Sequence, residues 1–175
     1  MNSCFLDVET TGLDSRRCHI VEVGAVAVDG DLELGEFSEV CNPGEAALER
    51  IGTGRALEIN GLTREEIGAA RPIMEVARAF RAWMMGMNVA VLHSYNVGFD
   101  KGFLSREPWD VNPLSWGECV MRAVSSRRKP VRLEVAARRF GLDFDAGQAH
   151  RALYDARAAW QVYRAWQKQR EGAVA

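Results

Sequence analysis

The sequence predicts an α/β protein in which a mixed β-sheet is covered by helices. Three runs rich in apolar and β-branched residues come first, at 4–9, 19–28 and 32–40. Patterns with the helical period of 3.6 residues then alternate with two shorter strand patterns, at 89–93 and 116–120. Early strands followed by interleaved helices favour one mixed sheet with helices packed on it. We therefore expect five strands in a single domain over residues 1–175, a typical length for one domain.

The first three strands form an antiparallel unit in this prediction. The dipeptide Asp29-Gly30 favours a tight hairpin turn between the second and third strands. Asn42, Pro43 and Gly44 then break the sheet. We expect the stretch 45–61 to be irregular or weakly helical.

Two helices follow from capping and periodicity. Thr63 and Glu66 have the spacing of a capping box, which opens a short helix that Gly68 ends. Pro72 suits the first turn of a longer amphipathic helix. Its apolar stripe consists of Ile73, Val76, Ala77, Phe80, Trp83, Met84 and Met87.

Three later helices complete the pattern. One follows the strand at 89–93 and carries Phe99 and Asp100, and another spans 133–140 and stops at Gly141. The last one runs from Ala149 to about Gln169. Its apolar positions place it against the sheet.

The net charge of −2 hides a strong asymmetry along the chain. Residues 1–60 carry a net charge of −8, whereas residues 120–175 carry +7. An acidic end that collects metal and a basic end that meets a polyanion would explain the division. Solvated helix faces rich in arginine explain it equally well.

The cysteines and the N-terminus indicate a cytoplasmic protein without a membrane span. Cys4, Cys18, Cys41 and Cys119 lack zinc-type spacing, so we expect reduced, mostly buried thiols. No apolar run reaches the 18 residues that a membrane helix needs. Asp7 comes too early for the apolar run of a secretory signal peptide to precede it.

Acidic residues concentrate in three motifs, Asp7–Gly12, Tyr95–Asp100 and His150–Asp155. The first motif ends a buried strand, and alternation along that strand puts Asp7 and Glu9 on one face. Two carboxylates side by side are unfavourable unless a cation joins them. Together the motifs supply four carboxylates and one imidazole, the equipment for cutting a phosphodiester with two metal ions.

On these motifs the chain resembles the DEDDh-type 3′-to-5′ exonucleases of the DnaQ-like, or proofreading exonuclease, superfamily. The resemblance runs from Phe5 to about Ala158. It implies a ribonuclease-H-like fold, with a mixed five-stranded sheet flanked by helices. It also implies two Mg²⁺ or Mn²⁺ ions and hydrolysis of single-stranded or frayed nucleic acid to nucleoside 5′-monophosphates.

The resemblance gives each motif residue a role. The metal ligands would be Asp7, Glu9, Asp100 and Asp155, and His150 would be the general base. On one continuous helix, residues five apart differ by about 140° in direction. His150 must therefore lie in a turn or loop before the helix that carries Asp155.

A second group of residues would contact the terminal nucleotide. The resemblance assigns this contact to Thr10, Thr11, Gly12, Leu13, Asn60, Asn96 and Phe99. Backbone amides near Thr10 and Thr11 would face the nucleotide, and Leu13 would wedge against its base. Core packing is an alternative role for Leu13 and Phe99. Asn60 stands where many family members have histidine, and Tyr95 replaces another common histidine.

Basic residues and tryptophans outside the motifs allow two interpretations. Arg127, Arg128, Lys129, Arg132, Arg138 and Arg139 could follow a phosphate backbone or form a solvated surface. The tryptophans could stack on bases where exposed, but Trp83 and Trp160 lie on apolar stripes and we expect them in the core.

The substrate and the partners stay open at this point. DNA is favoured as the substrate, and an RNA-trimming exoribonuclease would use the same residues. A non-catalytic adaptor for nucleic acid or a polymerase would not need all five catalytic positions. Candidate partners are nucleic acid 3′ ends, a replication or repair polymerase, and a second copy of the chain.

Overall fold

A computed structural model describes residues 1–50, 53–125 and 129–172. These residues contain a six-stranded sheet and the helices around it. The strands are β1 (Asn2–Thr10), β2 (Ile20–Asp29), β3 (Leu32–Asn42), β4 (Arg71–Pro72), β5 (Val89–His93) and β6 (Ser115–Trp116). The helices are α1 (Glu45–Leu48), α2 (Thr53–Asn60), α3 (Arg64–Ala69), α4 (Ile73–Gly86), α5 (Val97–Leu104), α6 (Val120–Val124), α7 (Leu133–Arg139) and α8 (Ala152–Gly172).

The sheet is mixed, as the sequence predicts. Its strand order is β4-β3-β2-β1-β5-β6. The strands β1, β2 and β3 pair antiparallel, which confirms the predicted opening unit. β5 joins β1 in parallel, and β6 joins β5 in parallel. The long strand β1 therefore lies in the middle of the sheet, where helices cover both faces.

Alternation along β1 divides the core into two layers. Cys4, Leu6 and Val8 point to the face covered by α4 and α5. Phe5 points to the opposite face, where it packs with residues of α6, α7 and α8, including Trp160. Asp7 and Glu9 share the face of Phe5 because side chains alternate along a strand. The acidic end of β1 thus lies on the side of α8.

The predicted fifth strand is the main correction at the sheet. The sequence suggests a strand at 116–120, but β6 ends at Trp116 and α6 begins at Val120. Gly117 follows β6 and lies against the His93 ring, where a Cβ would be 2.2 Å from the ring. The sixth strand, β4, is a two-residue pairing with the end of β3.

Helix boundaries show smaller differences. The stretch 45–61, expected to be irregular or weakly helical, contains α1 and α2. The capping box at Thr63 is present, and Glu66 N donates to Thr63 Oγ1 at 3.1 Å. The last helix begins at Ala152 rather than Ala149, because His150 has a positive φ of 65° that an α-helix does not contain.

The cysteines are free thiols, as predicted. Cys4 and Cys41 are buried, whereas Cys18 and Cys119 are partly exposed. Within the described ranges, no helix combines the length and the apolar character that crossing a membrane requires.

Candidate active site

The site begins with four residues that face one another across β1 and β2. Asp7 pairs with Gly24, and Glu9 pairs with Glu22. Directly opposed residues of antiparallel strands point to the same face of the sheet. Three carboxyl groups therefore gather on the face that α8 covers.

Gly24 lets α8 approach this face closely. A Cβ at position 24 would lie 2.0 Å from Leu153 N and 2.2 Å from the carbonyl carbon of Ala152. Any side chain there would push the beginning of α8 off the sheet. The absence of a side chain at Gly24 therefore brings Asp155, in the first turn of α8, over the carboxylates of β1.

His150 lies in the loop before α8, as its spacing from Asp155 predicts. Its backbone N–H donates to Asp155 Oδ2 at 3.2 Å, and its side chain is exposed. One ligand atom from each of Glu9, His150 and Asp155 lies within 4.8 Å of the other two. The loop thus delivers an imidazole to the edge of the acidic cluster.

Asp100 approaches from the other side of the cluster. It lies in the first turn of α5, just after β5, and its side chain is 1% exposed. Because β5 runs parallel to β1, the segment after β5 reaches the same edge of the sheet as the end of β1. The three acidic motifs therefore meet at one place.

Burial and crowding raise the pKa values of the two strand carboxyls. Burial is the largest cause for Asp7, followed by the charge of Asp100, and both hold the pKa of Asp7 well above its usual range. Burial, and then the charges of Asp155 and Glu22, raise the pKa of Glu9 to about 9. Without a cation, these two carboxyls therefore hold their protons to a higher pH than exposed carboxyls do.

The helix carboxyls share this behaviour. Burial raises the pKa of Asp100 to about 7 and that of Asp155 to about 6. Their Oδ1 atoms are buried and have no hydrogen-bond partner in the part of the chain that the structure describes. Buried polar atoms normally have a hydrogen-bond partner or another ligand, and a bound cation would serve these two oxygens.

The cluster fits divalent cations with oxygen ligands. Mg²⁺ and Mn²⁺ prefer carboxylates and water, and this donor set contains no thiolate. The four carboxylates predicted as ligands are the ones gathered here. Cation binding would satisfy the unpaired oxygens and relieve the repulsion among the carboxylates.

Sequence reasoning missed the ion pair between Glu22 and Arg151. The Arg151 guanidinium donates to both Glu22 oxygens, with Nη2 at 3.0 Å and Nε at 3.2 Å from Oε1. Ala152 N also donates to Glu22 Oε2 at 3.3 Å. The Glu22 side chain is 2% exposed. Glu22 within an apolar strand was a signal that a charged partner is needed. The partner could not be identified from the sequence because it lies 129 residues away.

Several residues predicted to contact a nucleotide are already engaged in hydrogen bonds within the protein. Thr11 N donates to the His19 carbonyl at 2.9 Å. This amide is therefore not free to face a nucleotide, contrary to the prediction from the sequence. Thr10 Oγ1 donates to the Gly12 carbonyl at 2.7 Å. Asn60 is buried and donates to the Thr10 carbonyl at 3.1 Å. These contacts shape the loop after β1.

The two predicted apolar contacts behave differently. Leu13 is 87% exposed, which rules out the alternative of core packing for this residue. Phe99 is partly buried and packs against Phe103, with ring centroids 5.1 Å apart. Asn96 is exposed, directly before α5. Leu13 and Asn96 are thus accessible to a ligand, and Phe99 has a packing role.

A groove at the loop after β1 contains two basic residues. It has a volume of about 540 Å³, and Leu13, Arg17 and Arg50 are among the residues that line it. Among the described residues, neither arginine takes part in an ion pair. The groove also contains one acidic residue, Asp14, so its two arginines give it a small excess of positive charge.

The other basic and aromatic candidates lie elsewhere. Arg127 and Arg128 are outside the described residues. Lys129, Arg132, Arg138 and Arg139 are exposed, which agrees with both interpretations, and Arg138 pairs with Glu134. The predicted core position of Trp160 is confirmed, and Trp83 is partly buried against the core.

Solved structures with this architecture include nucleases. The chain superposes on Escherichia coli Exonuclease I bound to a dT13 oligonucleotide with a TM-score of 0.77. That match has 18% identity and covers 99% of this chain and 42% of the other. A 3′-exonuclease described as recognising the 3′ end of a histone mRNA stem-loop gives a TM-score of 0.74 at 15% identity. It covers 95% of this chain and 64% of the other. At these identities, the matches show the fold.

Sequence comparison shows the family. The RNase_T family model, described as Exonuclease, matches residues 4–163. The chain is also 32% identical over 159 residues to DNA polymerase III PolC-type of Bacillus subtilis strain 168. That match covers 87% of this chain, which spans about a tenth (10%) of the relative. The chain belongs to the exonuclease family, within the DnaQ-like superfamily, as its three acidic motifs predict.

Proposed function

We propose that this chain is a metal-dependent 3′-to-5′ exonuclease that acts on single-stranded or frayed nucleic acid. The observation that carries the proposal is the meeting of Asp7, Glu9, Asp100 and Asp155 at one sheet edge, with His150 beside them. Family membership supports the same activity. The products would be nucleoside 5′-monophosphates.

The four carboxylates would hold two Mg²⁺ or Mn²⁺ ions. When bound, such ions supply activation of water and stabilisation of the charge that develops on the leaving oxygen. The residues of the chain arrange this chemistry: β1 fixes Asp7 and Glu9, and two helices bring Asp100 and Asp155 against them. Mg²⁺ and Mn²⁺ share this donor preference, so both belong in the assay.

His150 would move the proton. Its imidazole takes a proton from the water that attacks the terminal phosphorus, a transfer for which histidine is the side chain most often used. The bond between phosphorus and O3′ then breaks, and the leaving O3′ takes a proton from solvent. The phosphate stays on the released nucleotide as a 5′-phosphate.

The terminal nucleotide would lie against the loop after β1. The exposed Leu13 would contact its base, with Thr10, Thr11 and Gly12 shaping the loop beneath it. Asn60, Asn96 and Phe99 would border the same pocket.

DNA is the favoured substrate and RNA the alternative. The PolC relative is a DNA polymerase, and the Exonuclease I structure contains a DNA oligonucleotide. The similarity to an exonuclease described with a histone mRNA stem-loop supports RNA. A protein distinguishes the two at the 2′-OH of the bound nucleotide.

A polymerase is the favoured protein partner. The match to a segment of PolC-type chains supports association with a replicative polymerase. Homodimer formation stays a prediction from the sequence.

The test uses matched 5′-labelled single-stranded DNA and RNA with Mg²⁺ or Mn²⁺. We expect ladders that shorten from the 3′ end, no ladders in EDTA, and faster shortening of DNA. Glu9→Gln should abolish the ladder, whereas Glu65→Gln, the same change on the exposed surface of α3, should leave it intact.

Two results would refute the proposal. One is degradation by Glu9→Gln at the rate of the unaltered protein. The other is binding of both oligonucleotides without shortening, which would favour the non-catalytic adaptor.

A further inference from the structure

His150 and the next residue, Arg151, are both held to the body of the protein. The His150 backbone N–H donates to Asp155 Oδ2 at 3.2 Å. The Arg151 guanidinium binds Glu22 of β2 through two nitrogens, Nε and Nη2. The loop is thus anchored to the helix and to the sheet within two consecutive residues.

Glu22 makes these contacts from a rigid position. It lies on β2, whose residues Ile20–Val28 are buried, and its own side chain is 2% exposed. One of its oxygens also accepts from Ala152 N, at the first residue of α8. Glu22 therefore fixes the beginning of α8 and the residue before it with one carboxylate.

The anchor holds the backbone in a conformation that it would not adopt freely. His150 has a φ of 65°, in the left-handed region that residues other than glycine rarely occupy. Such conformations are unfavourable by themselves and persist when neighbouring contacts impose them. Releasing Arg151 would therefore let the loop relax and carry the exposed imidazole away from Glu9.

The same contacts keep Glu22 apart from the other carboxylates. Glu22 lies directly opposite Glu9, close enough that its charge raises the pKa of Glu9. Its oxygens are occupied by Arg151 and Ala152 N. The pairing explains why a fifth carboxylate can lie beside the cluster without joining its ligand set.

We propose that Glu22 and Arg151 are positioning residues that hold His150 in place for hydrolysis, an inference that rests on the proposed exonuclease function. Neither residue would touch the substrate. Partners of this kind typically change activity by about 10–100-fold when they are removed.

The experiment compares two arginines of the same segment. Arg151→Met removes the anchor just before α8, and Arg157→Met removes the ion pairs that Arg157, inside α8, makes with Glu33 and Glu36. We expect Arg151→Met to lower kcat by about 10–100-fold with KM changed less than about threefold. Arg157→Met should keep kcat within about twofold, because its partners lie on β3, outside the cluster.

A second readout needs neither metal nor substrate. The chain has three histidines, so selective ¹³C labelling of their rings gives three NMR signals. In EDTA, Arg151→Met and Glu22→Gln should shift or broaden the His150 signal, and Arg157→Met should leave it in place. The His93 signal reports on folding, because His93 is buried against Phe5.

Arg151→Lys separates geometry from charge. Lysine keeps the positive charge but cannot make the two-point contact, so we expect a kcat between those of Arg151→Met and the unaltered protein. Full activity in Arg151→Lys would overturn the positioning role.

Equal losses of kcat in Arg151→Met and Arg157→Met, or an unmoved His150 signal, would also overturn it. If the unaltered protein degrades no nucleic acid, the proposed function fails, and the NMR comparison still tests the anchor.

Discussion

At the level of single residues, the acidic cluster holds protons more tightly than exposed carboxyls do. Burial raises the pKa of Asp155 to about 6, that of Asp100 to about 7 and that of Glu9 to about 9. An unfolded aspartate titrates near pH 3.9. Between these values the folded chain binds more protons than the unfolded chain, so its stability falls as pH rises.

This imbalance predicts the pH dependence of the metal-free protein. The stability contributed by these protons is complete below about pH 4 and is lost as pH rises through about 6 to 9. In EDTA, thermal denaturation should therefore show a lower Tm at pH 8 than at pH 5. Each kcal/mol of destabilisation lowers the Tm of a chain of this size by roughly 2–4 °C.

Added Mn²⁺ should raise the Tm more at pH 8 than at pH 5, because ionised carboxylates bind the cation. The variant Asp155→Asn, which removes one titrating group, should show a smaller fall of Tm with pH. A Tm that rises from pH 5 to pH 8 in EDTA, with an equal rise in the variant, would contradict this account.

At the level of elements, the site depends on how closely α8 lies on β2. Gly24 makes that approach, and the first turn of α8 then carries Asp155 over β1. A methyl group at position 24 would meet backbone atoms of Leu153, which cannot rotate away. The position of the helix is therefore set by one residue of the neighbouring strand.

Gly24→Ala should lower the free energy of unfolding by about 3 kcal/mol, the upper range for overpacking. It should also lower nuclease activity, because Asp155 moves with α8. The control is Gly35→Ala on β3, where the new methyl meets the flexible Met87 side chain at 3.3 Å. That variant should stay within about 1 kcal/mol of the unaltered protein.

Urea denaturation measures both variants from the shift of the transition midpoint at constant slope. Equal stability of Gly24→Ala and Gly35→Ala would show that α8 does not need the close approach.

The sequence predicts most elements, and the failures have physical causes. Apolar runs identify β1, β2 and β5, which are largely buried, whereas alternation and helical periodicity identify β3 and α4, which bury one face. The sequence does not reveal that the strand ends at Trp116, because the close approach of Gly117 to His93 joins segments that are far apart along the chain.

Within the site, too, the sequence reveals local patterns but not contacts between distant segments. The motif residues follow from a resemblance that local spacing carries. Glu22 and Gly24 were missed because their importance comes from α8, which packs on them about 130 residues later along the chain.

At the level of the whole molecule, the charge asymmetry of the sequence is partly used inside the fold. Arg157 pairs with Glu33 and Glu36 of β3. Arg164 and Lys168 pair with Asp31 in the hairpin turn. Part of the basic end is thus neutralised by the acidic end.

Nucleic-acid binding should depend on the groove rather than on α8. Removing one cation that neutralises a phosphate reduces the slope of log K against log[salt] by about 0.7 for single strands. Arg17→Ala and Arg50→Ala, which alter the groove, should each weaken oligonucleotide binding and reduce this slope. Arg157→Met should leave the slope unchanged, because its guanidinium is engaged by Glu33 and Glu36.

Fluorescence anisotropy in EDTA, over a series of salt concentrations, provides the measurement. A reduced slope in Arg157→Met with an unchanged slope in Arg17→Ala would place the strand on α8 instead.

The central claim is that the acidic cluster and His150 hydrolyse the last phosphodiester bond at a 3′ end. The most direct test is mass spectrometry of the products formed from single-stranded DNA in ¹⁸O-labelled water. We predict nucleoside 5′-monophosphates that each carry one ¹⁸O in the phosphate. His150→Ala should give the same products about 10²–10⁴-fold more slowly. Nucleoside 3′-monophosphates, internal fragments, or 5′-monophosphates without the label would contradict the account.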